Sequence, residues 1–163
     1  MIDVNRLPQR ALFDTGVVIR ALRERPEDPR SLICEALWEA MVENGREILI
    51  AAPSIAEMIR QDGKGVIPHR RGVEVVAFDA RAAEFLGRKF PERVLALERT
   101  TTGLPRNYIK YDAMIVACAV RHRATHLVSL DIPLTTFANT AGLKAQAPED
   151  FVAPQMDLGD LLK

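Results

Sequence analysis

Residues 106–120 read RNYIKYDAMIVACAV, and shortly after them residues 126–131 read HLVSLD. Every side chain from Ala113 to Val120 is apolar, yet a carboxylate, Asp112, stands at the entrance to that run. A stretch apolar on all sides predicts a buried helix, and the short run that follows predicts a buried strand ending in Asp131. A buried helix leading into a buried strand is the repeating unit of an α/β fold.

The same alternation continues outward in both directions. ALFD (11–14) reads as a strand and TGVVIRALRER (15–25) as a helix that stops before Pro26. PRSLICEALWEAMVENG (29–45) is the clearest helix, with Leu32, Ile33, Ala36, Leu37, Ala40 and Met41 as its apolar stripe and Gly45 as its stop. EILIAA reads as a strand, and Pro53-Ser54 opens a helix, IAEMIRQ. A loop, DGKGVIPHRRG (62–72), leads to the strand VEVVAF (73–78), after which Asp79 is placed to cap ARAAEFLGRKF. ERVLALER follows Pro91 as a further helical piece, and TTTGLPRN is a polar loop before the opening helix. A short helix, PLTTFANTAG, and a strand, LKAQA, come last. Strands separated by helices imply right-handed crossovers and a mainly parallel sheet, in the expected order β-α-α-β-α-β-α-α-β-α-β.

Composition narrows the class. At 163 residues the chain suits one core, and 48% hydrophobic with 27% charged residues is the balance of a globular domain. No apolar run reaches the roughly 18 residues that span a bilayer, so no membrane association is expected. The start, MIDVNRLPQRALFD, lacks the pattern of a secretory signal. Two cysteines, Cys34 and Cys118, without CxxC spacing fit a reducing cytoplasm. Lys plus Arg and Asp plus Glu both number 22, which argues against attachment to nucleic acid by bulk charge alone. From Glu149 onward the acids are Glu149, Asp150, Asp157 and Asp160 against the single base Lys163, so the rest of the chain is mildly basic.

In open parallel sheets the working crevice lies beyond the carboxyl ends of the strands. Asp14 ends the first strand, Glu57 follows the second, Asp112 opens the helix before the fourth, and Asp131 ends the fourth. Each has a structural explanation: acids near helix starts cap free N–H groups, and SIAE (54–57) matches a capping box. Gathered in one crevice, however, four carboxylates repel one another and call for a hard cation, Mg²⁺ or Mn²⁺. His69, His122 and His126 lack zinc-site spacing.

With those residues in view, the sequence resembles the PIN domain, the nuclease fold of VapC-type toxins. The resemblance rests on ALFDTGVVIRAL, AAPSIAEMIR, VVAFDARAAEFLGRKF, NYIKYDAMIVACAV and LVSLD, in family order and spacing across about residues 11 to 151. It implies a three-layer α/β/α architecture with a mainly parallel five-stranded sheet. The chain would be a single domain over 1–163, with 1–10 as an N-terminal extension and 152–163 as a C-terminal tail. Asp14, Glu57, Asp112 and Asp131 would be the catalytic, metal-binding acids, with Thr15, Ser54 and Lys110 in support. The implied activity is Mg²⁺- or Mn²⁺-dependent hydrolysis of RNA phosphodiesters by a cytoplasmic toxin. That toxin would form a homodimer and be blocked by a cognate antitoxin. After Asp131 the chain reads IPLTTF, without the further acid or Asn that family members often carry.

Other features bear on partners. Arg20, Arg23 and Arg25, and Lys64, His69, Arg70 and Arg71, are candidate phosphate contacts or simply solvated charges. Trp38 is expected in the core or between helices, and Ile59, Leu86 and Phe90 face either a partner or the core. The runner-up function is a PIN-fold RNA- or protein-binding module with weak or no catalysis. A haloacid-dehalogenase-type phosphotransferase is set aside, because its second Asp would stand where Gly16 does.

Overall fold

The computed structural model describes residues 1–23, 27–62, 67–103 and 105–154. Within them the strands are β1 (Arg10–Phe13), β2 (Glu47–Ala51), β3 (Val73–Val76), β4 (His126–Val128) and β5 (Lys144–Gln146). The helices are α1 (Thr15–Leu22), α2 (Pro29–Glu43), α3 (Ala52–Asp62), α4 (Ala80–Lys89), α5 (Glu92–Thr102), α6 (Arg106–Arg121) and α7 (Ile132–Thr140). The strands form one sheet, ordered β3-β2-β1-β4-β5, in which every pairing is parallel. This is the five-stranded α/β/α architecture that the sequence implies.

Successive strand residues point to opposite faces, and the chain fills both. Leu12, Leu49 and Leu127 join Ile109, Ala113, Val116, Phe90 and Phe137 in one core cluster. Ala11, Phe13, Ile48, Ile50 and Val128 join Val17, Cys34, Leu37, Trp38 and Met41 in the other. A sheet covered on both sides needs the near-continuous apolar strands seen in ALF (11–13) and ILIA (48–51). Trp38 is core, its ring edge-on to Phe13 at 6.1 Å. Phe90 is also core, while Ile59 is half exposed. Cys34 and Cys118 are buried free thiols.

Four expectations change. Three helices, not two, separate β3 from β4. The buried stripe of α2 is Ser31, Cys34, Leu37, Trp38 and Met41; Leu32 is 49% exposed and Ala36 also faces solvent. Two apolar stripes overlap in this helix, and docking against α1 selects the one carrying Trp38. Thr100, Thr101 and Thr102 belong to α5, their hydroxyls donating to the carbonyls of Ala96, Leu97 and Glu98. The loop before α6 is correspondingly short. Lastly, α6 begins at Arg106 after Pro105, so Asp112 lies in its second turn rather than at its mouth.

Residues ahead of β1 are tied to the far end of the described chain. Ile2 bridges Val152 in antiparallel fashion, Asp3 N–H donates to the Phe151 carbonyl at 2.8 Å, and Ala153 N–H donates to the Met1 carbonyl at 3.0 Å. Phe151 is fully buried in the α2 core cluster and anchors the pair.

Candidate active site

The strand order fixes where a crevice forms. From β1 the chain steps one way to β2 and β3, and then returns to the other side of β1 for β4 and β5. The carboxyl ends of β1 and β4 therefore flank the topological switch point. Asp14 follows β1 directly, and Ser129 and Asp131 follow β4.

Asp14 is buried, and both its carboxylate oxygens are held. Oδ1 accepts the Thr15 N–H at 2.7 Å, as an N-cap of α1, and Oδ2 accepts the Ser129 hydroxyl at 3.1 Å. Burial pushes its pKa up to about 6; the two hydrogen bonds oppose this, and repulsion from Glu57 and Asp131 adds to it. Glu57, half-buried on α3, accepts a 2.6 Å hydrogen bond from the Thr15 hydroxyl through Oε2. Asp131 is exposed and caps α7, accepting from Leu134 N–H at 3.1 Å.

Asp112 projects from α6 toward the same charges. Its pKa is pushed up to about 7, first by burial and then by repulsion from Asp131, Asp14, Glu57 and Glu98. It is not a helix cap. The four acids expected from sequence therefore act on one another across four separate elements. The capping box proposed for Ser54 and Glu57 does not form, because α3 starts two residues before Ser54 and Glu57 turns to Thr15 instead.

Two residues were missed by sequence reasoning. Ser129 is 1% exposed; its hydroxyl donates to Asp14 and accepts the Asp131 N–H at 2.9 Å, joining two of the acids. The signal was the hydroxyl two residues before the acid in SLD. Glu98, on α5, is a fifth carboxylate felt by Asp112, and nothing in its local sequence sets it apart.

The supporting residues divide. Thr15 is in place. Ser54 is fully buried one turn before Glu57, and its hydroxyl has no hydrogen-bond partner among the described residues. Lys110 is not beside Asp112: residues two apart on a helix face nearly opposite ways, and Lys110 lines a cavity of about 400 Å³ with Phe78, Leu86, Phe90, Leu95 and Met114. Of the candidate cations, Arg20 stays near the site, donating to the Gly16 carbonyl at 3.2 Å and pairing with Asp28. Arg70 is bound to Glu39 at 2.6 Å, and the 67–72 segment precedes β3, at the end of the sheet away from the acids. Arg25 and Lys64 lie outside the described residues.

The donor set suits a hard divalent cation: carboxylate and hydroxyl oxygens, with two of the acids raised in pKa by burial first and by repulsion from neighbouring acids second. Among the described residues, however, no three His, Cys, Asp or Glu side chains are already arranged to hold a metal ion. The chemistry fits and the carboxylates stand apart. Also among the described residues, no helix is long and apolar enough to cross a membrane.

Comparisons with known proteins agree with this architecture. No curated protein matches the sequence. Among solved structures, a chain of the VapBC2 complex of Rickettsia felis, bound to a DNA fragment from their promoter, is 18% identical with a TM-score of 0.55; the match covers 85% of this chain and 98% of that one. A chain of the DNA-bound VapBC complex of Salmonella typhimurium is 20% identical with a TM-score of 0.51 and the same coverage. At these identities the likeness is one of fold. The PIN domain model matches residues 11–141, from β1 through α7. PIN domains are nucleases that generally use divalent metal ions, and with most of its length matched this chain belongs to the PIN domain family.

Proposed function

We propose that the chain is a metal-dependent endoribonuclease that hydrolyses RNA phosphodiester bonds, with Asp14, Glu57, Asp112 and Asp131 as the residues that hold Mg²⁺ or Mn²⁺. The observation that carries this reading is that acids from four elements lie toward the switch point of a PIN-family sheet, Glu57 and Asp14 each hydrogen-bonded to Thr15. A bound divalent ion would polarise the phosphate and lower the pKa of an attacking water.

The chain's own residues prepare for that chemistry. Thr15 orients Glu57, and Ser129 orients Asp14, so these two carboxylates keep a fixed direction. The Asp112 carboxylate, which makes no hydrogen bond to another described side chain, is the one that adjusts to incoming charge. Ser54 supplies a spare hydroxyl one turn from Glu57. Lys110 takes no part.

The wider role we propose is that of the toxin of a type II toxin–antitoxin pair. It would work as a homodimer in the cytoplasm and be silenced by a cognate antitoxin. Likeness to chains of two VapBC complexes supports this. Residues 1–163 would be one domain, its first ten residues an extension fastened to residues 150–153.

End-labelled single-stranded RNA, incubated with Mn²⁺ or Mg²⁺ beside an EDTA control and an Asp112→Asn variant, tests the reading. Metal-dependent cutting by the wild type and none by the folded variant is expected. Binding of RNA without cutting by either protein would replace the nuclease with a binding module. Inducible expression with and without the adjoining upstream reading frame tests the toxin role, with growth arrest relieved by that frame as the expected result.

A further inference from the structure

One aromatic side chain, a turn before Asp112 on α6, is largely exposed. Tyr108 is 61% exposed, although it lies on α6, whose residues 115–119 are all buried. Four residues separate it from Asp112, about 6 Å along the helix axis, so the two share a face. Tyr111 is half-buried on that side, with the Arg60 guanidinium 5.0 Å from its ring centroid. Arg60 sits on α3 three residues after Glu57, so the α3–α6 rim presents a cation and two aromatic rings next to two of the acids.

A scattered exposed tyrosine needs no explanation; one aligned with a candidate catalytic carboxylate does. Proteins that hold single-stranded nucleic acid pair a cation for the backbone with an aromatic face for a base. A protein partner would want a continuous apolar patch, whereas the helix neighbour of Tyr108 toward the sheet is the half-buried carboxylate Asp112. We propose that Tyr108 is a substrate-binding residue that stacks on a nucleobase next to the scissile phosphate, while Arg60, braced on Tyr111, meets the RNA backbone. This rests on the ribonuclease reading and extends it by naming the side chains that would hold the base and the backbone beside the cleaved bond.

The test uses a fluorescein-labelled single-stranded RNA of mixed sequence and the same RNA with its bases removed. Affinity is measured in EDTA, and KM and kcat with Mn²⁺, for the wild type, Tyr108→Ala and Tyr108→Phe. Tyr108→Ala should weaken binding to intact RNA about fivefold to a hundredfold, the range that loss of one base–aromatic stack gives. KM should rise with kcat largely kept. Tyr108→Phe should behave as wild type, and the base-free RNA should not distinguish the three proteins. Equal affinity and KM for wild type and Tyr108→Ala, or equal losses on intact and base-free RNA, would overturn the proposal. So would a changed oligomeric state in Tyr108→Ala with RNA affinity intact, which would assign the ring to a protein partner. A wild-type protein that neither binds nor cuts RNA would remove the ribonuclease reading and this one together, an outcome distinct from the others.

Discussion

The buried hydroxyl of Ser129 donates a hydrogen bond to Asp14 Oδ2 at 3.1 Å and accepts one from the Asp131 backbone N–H at 2.9 Å. A single side chain thus sets the direction of one acid and the backbone position of another. Ser129→Ala should cost about 1–3 kcal/mol of stability, because it leaves a buried acceptor and a donor unpaired. RNA cleavage should fall as well. Urea unfolding and end-labelled RNA cleavage measure the two effects separately, and a variant unchanged in both would refute the positioning role.

The raised carboxyl groups make stability depend on pH in an unusual direction. Asp14 and Asp112 hold a proton up to about pH 6 and 7 when folded, but only to 3.8 otherwise. Between those values the folded state binds more protons than the unfolded one, so stability falls as pH rises from about 4 to about 7. Below about 4 the depressed carboxylates of Asp28 and Asp79 act the opposite way, losing their contribution as pH falls. Urea midpoints in EDTA should peak on the acid side of neutrality. Added Mg²⁺ or Mn²⁺ should raise the midpoint most at alkaline pH, and no effect of metal at any pH would count against an ion among these acids.

Asp112→Asn separates charge from shape. In EDTA near pH 8 it should stabilise the protein, by an amount on the order of 1–3 kcal/mol, because a repelled and partly buried charge is gone. The stabilisation should shrink when Mg²⁺ is added to both proteins. A residue serving only to cap a helix would show the reverse, with loss of stability on substitution.

Phe151→Ala should be among the more damaging substitutions outside the site. The ring is fully buried against the α2 core, and cavities of that size cost about 3–5 kcal/mol. Amide exchange at Asp3, which donates to the Phe151 carbonyl, should quicken with it. Unaltered exchange there would mean that the ends are held by something other than this anchor.

Much of the site was legible because an acid at the end of an apolar strand is a local pattern. Asp14 and Asp131 needed only their own neighbours to be noticed, and the parallel alternation then carried them to one edge. Where α6 begins was not legible: KYDAMIVACA looks like a helix that starts at its acid. In the preceding RNYI, Ile109 is the one strongly apolar residue, so the first two turns carry little signal of their own. Lys110 takes the other side of α6 from Asp112, and closeness in sequence says nothing about which side of a helix a residue takes. Ser129 depends on a bond to Asp14 115 positions away, which no window along the chain contains, and Glu98 on how α5 folds back beside α6. The exposed Leu32 records a choice between two nearly equal apolar stripes, made by the neighbouring helix.

The bond between Asp14 and Ser129 spans 115 positions of sequence. A ribosome making this chain would have exposed β1, α1 and α2 long before the segment that completes the acidic pocket emerged. Pairing of β4 with β1 closes a very large loop and belongs among the slow, late events of folding. The amino-terminal half therefore leaves the ribosome with Asp14 still lacking its Ser129 partner, and the acids come together only after α6 and β4 have followed.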